Sequence, residues 1–316
     1  MDLEHIKSSQ KLEQILLNFI DVLRINILVV DPKGNPVLVP KTFGYGFHGS
    51  TQWGILQHLG TPKFFSNFQK EGDYLKAVDH FEFHSFALPV ALNASAAPLA
   101  YLIVGPVILN KQQETARYET IIREMGITFP DFQESLNELR IVSFNSLKAI
   151  LDLLSELSQY ALKMKYTEKP QAPVISPSIF STLLDLSMAL TQAECGSILL
   201  LNNVTRELNI LTFKGVDLQK LQDIPIKLGE GIAGLAAQKG EPFVINEEET
   251  NNRIRHLLKK PELKCAVVLP IIKNNNEVIG VMNISTRQPS SRLATHSQQM
   301  LKSLIEITSE TFNNFQ

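Results

Sequence analysis

Apolar residues near the start of the chain recur at helical spacing. Leu12, Ile15, Leu16, Phe19, Ile20 and Leu23 follow Ser9, whose hydroxyl is suited to capping a helix N-terminus. The pattern then changes to strand-like runs. Asn26–Val30 reads as a strand, Asp31-Pro-Lys-Gly-Asn-Pro36 has strong turn chemistry, and Val37–Val39 reads as the returning strand. Thr42 to Tyr74 has poor periodicity and is rich in glycine and aromatics: Phe43, Tyr45, Phe47, Trp53, Phe64, Phe65, Phe68 and Tyr74. Two readings are open, a wall of a small-molecule cavity or a loop-rich part of an ordinary core. His80-Phe-Glu-Phe-His-Ser-Phe86 alternates, which predicts one strand face shared by His80, Glu82 and His84. No further ligand stands nearby, so a solvated strand face is expected rather than a metal site.

Ser85 to Leu109 carries no charge and is long enough to span a membrane. Pro89, Asn93, Pro98 and Gly105-Pro106 interrupt it, and two buried strands joined by a turn at 93–98 are the expectation. Helices are predicted over Glu114–Met125, closed by Gly126, and over Pro130–Leu139. Phe144 to Tyr166 places Leu147, Ile150, Leu154, Leu157, Ala161 and Met164 at heptad-like spacing. That spacing fits a seam between two subunits as well as packing within one domain. Three prolines between Thr167 and Pro177 mark a linker.

The second half reads as a helix (Ile179–Gln192), a hairpin (Ser197–Asn202 and Leu208–Gly215), a short helix from about Gly231, a strand (Pro242–Ile245), a second hairpin (Lys264–Ile272 and Val278–Ser285) and a helix over Leu293–Asn313. Gly229, Gly231 and Gly234 spell G-x-G-x-x-G. The proline-interrupted Asp223–Lys227 before them is too short for the buried parallel strand that a dinucleotide fingerprint requires. Structural punctuation is expected instead, with Gly229 and Gly231 shaping a turn and Gly234 allowing close packing on the sheet.

Composition adds limits. The chain has 316 residues, 44% hydrophobic and 20% charged, and a formal net charge of −2. That length suits two domains, and the charge gives no case for nucleic acid or an anionic membrane. Cys195 and Cys265 are the only cysteines, and the polar N-terminus lacks an apolar signal segment, so a cytoplasmic protein is expected.

The pieces Cys195–Leu201, Leu228–Gly234, Lys239–Pro242, Cys265–Ile271 and Val278–Asn283 resemble a GAF domain in order and spacing. The resemblance implies a six-stranded antiparallel sheet flanked by helices, dimerisation through terminal helices, and a pocket for a small ligand. Gly229, Gly231, Gly234, Pro270 and Gly280 are its structural motif positions. Thr286-Arg287 stands where cyclic-nucleotide GAF domains carry Asn-Lys, and neither cysteine precedes the histidine that a bilin site wants. Ile25–Pro36, His80–Val90 and Ile103–Ile108 resemble a PocR-type, PAS-like sensory domain of bacterial regulators, reaching to about Tyr166. His80 matches that family's motif histidine, whereas Asp79 stands where a cysteine would be. The resemblance implies recognition of small hydrocarbon derivatives, with Phe43, Tyr45, Phe47, Trp53, Phe64, His80 and His84 as candidate ligand contacts.

The expected architecture is α+β: a sensory domain over 1–166, a linker over 167–177 and a GAF domain over 178–316. The expected function is a cytoplasmic signal-transduction protein that senses a small hydrophobic or metabolite ligand, has no output domain in the chain and signals to a downstream protein partner. A homodimer through helices 144–166 and 293–313 is expected, and no cofactor, metal, catalytic residue, nucleic acid or membrane span. The alternative is a dimeric interaction scaffold with degenerate pockets.

Overall fold

A computed structural model of the chain describes residues 3–40, 58–91, 96–126, 128–163, 178–215, 225–245, 264–273, 276–288, 293 and 296–312. The chain divides into two compact units, Met1–Pro170 and Gln171–Gln316.

The first unit opens with α1 (Leu3–Lys7) and α2 (Gln10–Leu23). The Ser9 hydroxyl accepts from the Leu12 N–H at 3.3 Å, and the six apolar residues at helical spacing are all buried. Strands β1 (Ile27–Val30), β2 (Pro36–Leu38), β3 (Gln69–Glu71), β4 (Tyr74–Val78), β5 (His84–Val90) and β6 (Ala100–Leu109) form an antiparallel sheet in the order β2-β1-β6-β5-β4-β3. Strand β7 (Ile141–Val142) adds to β6 in parallel. The apolar run over 85–109 is therefore a hairpin. Helices α3 (Thr115–Met125), α4 (Phe129–Glu138) and α5 (Phe144–Lys163) complete the unit, and Gly126 ends α3 in the left-handed region as its sequence predicts.

Both faces of this sheet are buried. On one face Leu28, Val30, Ala77, Ala87 and Ile103 pack against Phe64 from a short 3-10 helix over Phe64–Asn67, with Leu59, Phe65 and Phe68 around it. On the other face Ile27, Val29, Phe86, Leu88, Leu102 and Val104 are equally buried, and α2 and α5 pack against β1 and β5. The heptad positions of α5 that lie among the described residues, Leu147, Ile150, Leu154, Leu157 and Ala161, are buried in the single chain. They are therefore not a free seam for a second subunit. Spacing alone could not separate the two readings, because each needs one apolar stripe.

The second unit carries α6 (Ser178–Thr191), β8 (Cys195–Asn202), β9 (Glu207–Lys214), β10 (Ile226–Lys227), α7 (Gly231–Lys239), β11 (Phe243–Ile245), β12 (Cys265–Ile272), β13 (Val278–Thr286) and α8 (His296–Phe312). Its six strands form one antiparallel sheet in the order β10-β9-β8-β13-β12-β11. Helix α6 packs on β8 and β9, α8 packs on α6 and β12, and α7 packs on β12 and β13. A Cβ on Gly196 would lie 2.7 Å from Leu184 Cδ1, so the glycine allows α6 to close on the sheet. Ile232 and Ala236 of α7 join Leu199, Val268 and Val281 on the opposite face.

The turn between β1 and β2 is tied to the first core. Asp31 Oδ1 accepts from the N–H groups of Lys33 and Asn35, both at 2.8 Å, and Gly34 lies at φ 87°. The Gly34 carbonyl accepts from the Gly60 N–H at 2.8 Å, and a Cβ on Gly34 would lie 2.6 Å from Phe64 Cβ. Gly34→Ala combines an unfavourable φ with an overlap on a core phenylalanine, and is expected to cost about 1–3 kcal/mol. Urea unfolding of the full chain measures this; an unchanged midpoint of the first unit's transition would contradict the packing.

Candidate ligand-binding sites

Of the residues predicted to contact a ligand, Phe43, Tyr45, Phe47 and Trp53 lie outside the described residues. Phe64 is fully buried, with its ring 5.0 Å from Phe65 in an edge-on arrangement and 5.6 Å from Phe68. Phe65 in turn lies 4.9 Å from Tyr101 of β6. These rings cover one face of the first sheet, so a ligand on that face would meet aromatic and aliphatic surface.

His80 and His84 do not share a strand face with Glu82. Strand β5 begins at His84, and residues 79–83 form a turn with Glu82 at φ 61°. Asp79 makes the turn: its Oδ1 accepts from the N–H groups of Phe81 and Phe83, both at 2.9 Å. Phe81 and Phe83 then enter a second small core with Tyr118 and Phe132. His80 is exposed, and Glu82 pairs with Arg117 and accepts from the Gln113 side chain. The alternation of the sequence fitted a strand because both phenylalanines point inward from the turn. Among the described residues, no group of three or more His, Cys, Asp or Glu side chains is placed to hold a metal ion.

His84 lies on β5, half-buried, with its ring stacked at 6.4 Å on Phe86 and a buried Nδ1 that has no hydrogen-bond partner. Burial lowers its pKa and the Lys76 ammonium lowers it further, against the opposing charges of Glu82 and Glu71. Near the edge of the same sheet, Asn67, Gln69, Lys70, Glu71, Lys76 and Val78 line an open cleft of about 300 Å³. Lys76 Nζ and Glu71 Oε2 are 3.2 Å apart across it. Burial and the charges of Glu71 and Asp152 push the nearby Tyr74 hydroxyl up. Sequence reading missed this polar edge, because its members come from the poorly periodic segment and the strand after it.

In the second unit Gly229 and Gly231 take φ 83° and 60°, which suit glycine, at the entry to α7. A Cβ on Gly234 would lie 2.3 Å from the Lys227 carbonyl oxygen, so Gly234 lets α7 close on the edge strand β10. Strand β10 has two residues and runs antiparallel to β9, so the glycines lack the parallel strand of a dinucleotide fold. Gly280 sits equally close to backbone, with its missing Cβ 2.3 Å from the Leu199 carbonyl oxygen. Pro270 lies opposite Val281 on β12, past the residues that pair with β11. At the end of β13 the Arg287 N–H donates to Glu194 Oε2 at 3.0 Å, and Thr286 is buried.

Neither cysteine is in a disulfide, and both are buried. Cys265 of β12 pairs with Thr286 of β13, and Cys195 of β8 pairs with Ser285. Neighbouring residues on β13 point to opposite faces, so the two thiols lie on opposite sides of the sheet with a strand between them. No disulfide joins them without breaking the sheet. Non-reducing peptide mapping after mild peroxide treatment is expected to show no Cys195–Cys265 crosslink; such a crosslink in folded protein would contradict the register.

Burial pushes the Asp79 carboxyl up to about 6 from 3.8, against the two N–H donors and His80, which pull it down. The folded state thus keeps a proton that the unfolded chain releases. The resulting stability is present below about pH 4 and is lost as pH rises to about 6. Asparagine keeps the acceptor oxygen and has no charge to bury. Asp79→Asn is expected to stabilise the first unit by about 1–3 kcal/mol at neutral pH and to flatten its pH dependence between about 4 and 6. Urea titrations at both ends of that range check this; a destabilised variant at pH 7 would contradict it.

A family model described as the sensory domain found in PocR matches residues 5–166, and a GAF-domain model matches residues 177–312. Among solved structures the chain is similar to the GAF domain from an Acinetobacter phosphoenolpyruvate-protein phosphotransferase, with 15% identity and a TM-score of 0.39 over 54% of this chain and 95% of that one. The fRMsr of Staphylococcus aureus, in complex with substrate, is similar at 21% identity and a TM-score of 0.33, over 42% of this chain and 82% of its own. The type II free methionine-R-sulfoxide reductase from Thermoplasma acidophilum is similar at 18% identity and a TM-score of 0.36, over 44% and 96%. No curated protein matches the chain. No described helix is long and apolar enough to cross a membrane. Sensory modules of these kinds are mainly regulatory and support a sensory, signalling role. With its PocR match covering more than half of the 316 residues, the chain belongs to the family of the sensory domain found in PocR and carries a GAF domain as its second module.

Proposed function

We propose that this protein is a cytoplasmic small-molecule sensor whose two modules each take a ligand and pass its presence to a downstream protein partner. The observation that carries the reading is the succession of two sensory modules, 5–166 and 177–312, which together account for most of the chain. In the first module the ligand is apolar or bears a short apolar part, and it meets the sheet face around Ala87 and Ile103 with Phe64, Phe65 and Phe68. Phe43, Tyr45, Phe47 and Trp53, which lie outside the described residues, stay in the proposal as ligand contacts of this module. In the second module the ligand lies on the α7 side of the sheet. No catalytic role is proposed: both cysteines are buried, and buried strand thiols are usually inert. No cofactor or metal enters the reading.

Signalling proceeds by ligand selection between packings of the helices that end each module, α5 and α8. A homodimer through helices 144–166 and 293–313 is part of the proposal. It uses surface other than the buried heptad positions of α5 and other than Leu301, Leu304 and Ile305 of α8, which are also buried in the single chain.

A scaffold with degenerate pockets is the second reading. It is favoured by the apolar packing of Ile232, Ala236 and Ala237 against the sheet, which leaves α7 seated directly on the strands. Thermal melting of the full chain against a metabolite library separates the two. A cognate ligand at a hundredfold excess over its Kd adds about 2.7 kcal/mol and raises the melting temperature by several degrees. A library broad in hydrocarbon derivatives and neutral metabolites that moves neither transition would favour the scaffold.

A further inference from the structure

The register of the second sheet sets one row of cross-strand neighbours on the α7 side: Phe243, Val268, Asn283, Ser197 and Phe213, from β11 across to β9. Five strands at about 4.8 Å spacing make this row about 19 Å long. Its centre is polar. The Asn283 Nδ2 donates to Ser197 Oγ at 3.1 Å, and the Asn283 Oδ1 is buried with no hydrogen-bond partner. Whichever way the amide is turned, one of its two heteroatoms is left over beside Ser197. An unpartnered buried amide oxygen costs on the order of 1–3 kcal/mol, so such a group in a folded protein calls for an occupant.

The surroundings limit that occupant. The row on one side is Ile245, Ala266, Ser285 and Cys195, and the row on the other is Pro270, Val281, Leu199 and Ile210. None of the three rows contains Asp, Glu, Lys, Arg or His. A charged ligand group placed there would lose its hydration and gain no counter-charge from this floor. Phe213 and Phe243 at the ends are half-buried and aromatic, while Val268 and Ala266 are small, apolar and part of the cluster that Ile232 and Ala236 of α7 join.

We infer that the second module recognises a neutral, ring-sized, largely apolar molecule through one hydrogen bond to the Asn283 side chain, with Ser197 holding that amide in place. The inference rests on the reading of this module as ligand-binding, and it adds the chemical class and the recognising residue. Asn283 is the specificity determinant of the site, and the absent charge on the floor is what excludes anionic ligands such as nucleotide phosphates.

Benzamide, benzoate, benzamidine and toluene form a test set of nearly one shape: neutral polar, anionic, cationic and without a hydrogen bond. The full chain is titrated with each, following the side-chain amide signals of Asn283 by NMR, assigned through their loss in Asn283→Leu. Benzamide is expected to bind at least tenfold more tightly than the other three and to shift those signals. Asn283→Leu is expected to abolish the preference of benzamide over toluene, and Asn283→Asp to transfer the preference to benzamidine. Both variants are checked by melting to confirm that they fold; the Asn283 signals of the unmodified chain test the inference even where a variant does not. Benzoate or benzamidine binding as tightly as benzamide at Asn283 would overturn the neutral class while leaving ligand binding by the module intact. Benzamide bound without moving the Asn283 signals would overturn the site. Silence from all four, together with a library that moves neither melting transition, would remove the ligand-binding reading beneath both.

Discussion

Burial of both faces of each sheet is the constraint on which the rest of the structure depends. Strand β1 is buried at all four positions, and β12 is buried at Cys265 through Leu269. Strands of this kind need covering layers on both sides, and two layers cannot come from one short segment. In each unit, terminal helices cover one face: α2 and α5 in the first, α6 and α8 in the second. The other face is left to the middle of the chain, the Phe64 segment in the first unit and α7 in the second. That second covering layer is where the proposed ligands would replace protein atoms.

Close backbone approach sets how tightly the middle segments close. Gly34 brings the β1–β2 turn onto Phe64, and Gly234 brings α7 onto the Lys227 carbonyl. In both places a methyl group would have to displace the partner. Of the glycines that resemble a cofactor motif, Gly234 is therefore a spacer for packing, whereas Gly229 and Gly231 supply the positive φ at the entry to α7. The ligand contact inferred for the second unit is on the strands themselves, at the Ser197–Asn283 row.

Much of this was legible in the sequence, because continuous apolar runs, caps and turn residues each have a local physical cause. Ser9 caps α2, Gly126 closes α3, and the Asp31–Asn35 turn joins β1 to β2 as their chemistry predicts. The turn over 79–83 was not legible as a turn. Asp79 was conspicuous only as a residue standing in for a cysteine, and the Phe-x-Phe that follows satisfies a strand pattern equally well. The fate of the α5 heptads was hidden for a related reason: an apolar stripe does not name its partner. The pairing of Ser197 with Asn283 spans 86 residues and exists only through the register of β8 on β13.

The two modules differ in what their candidate surfaces offer. The first sets aromatic rings over one sheet face and a polar, charged cleft at the sheet edge, with His84 held towards its neutral form by burial and by Lys76. The second offers an uncharged floor with one spare amide atom. Sensing by two such modules is the central claim, and native mass spectrometry of the full chain incubated with fractionated metabolite extract tests it most directly. The account predicts a small-molecule adduct that is lost on denaturation. A chain that keeps its bare mass in every fraction would contradict it.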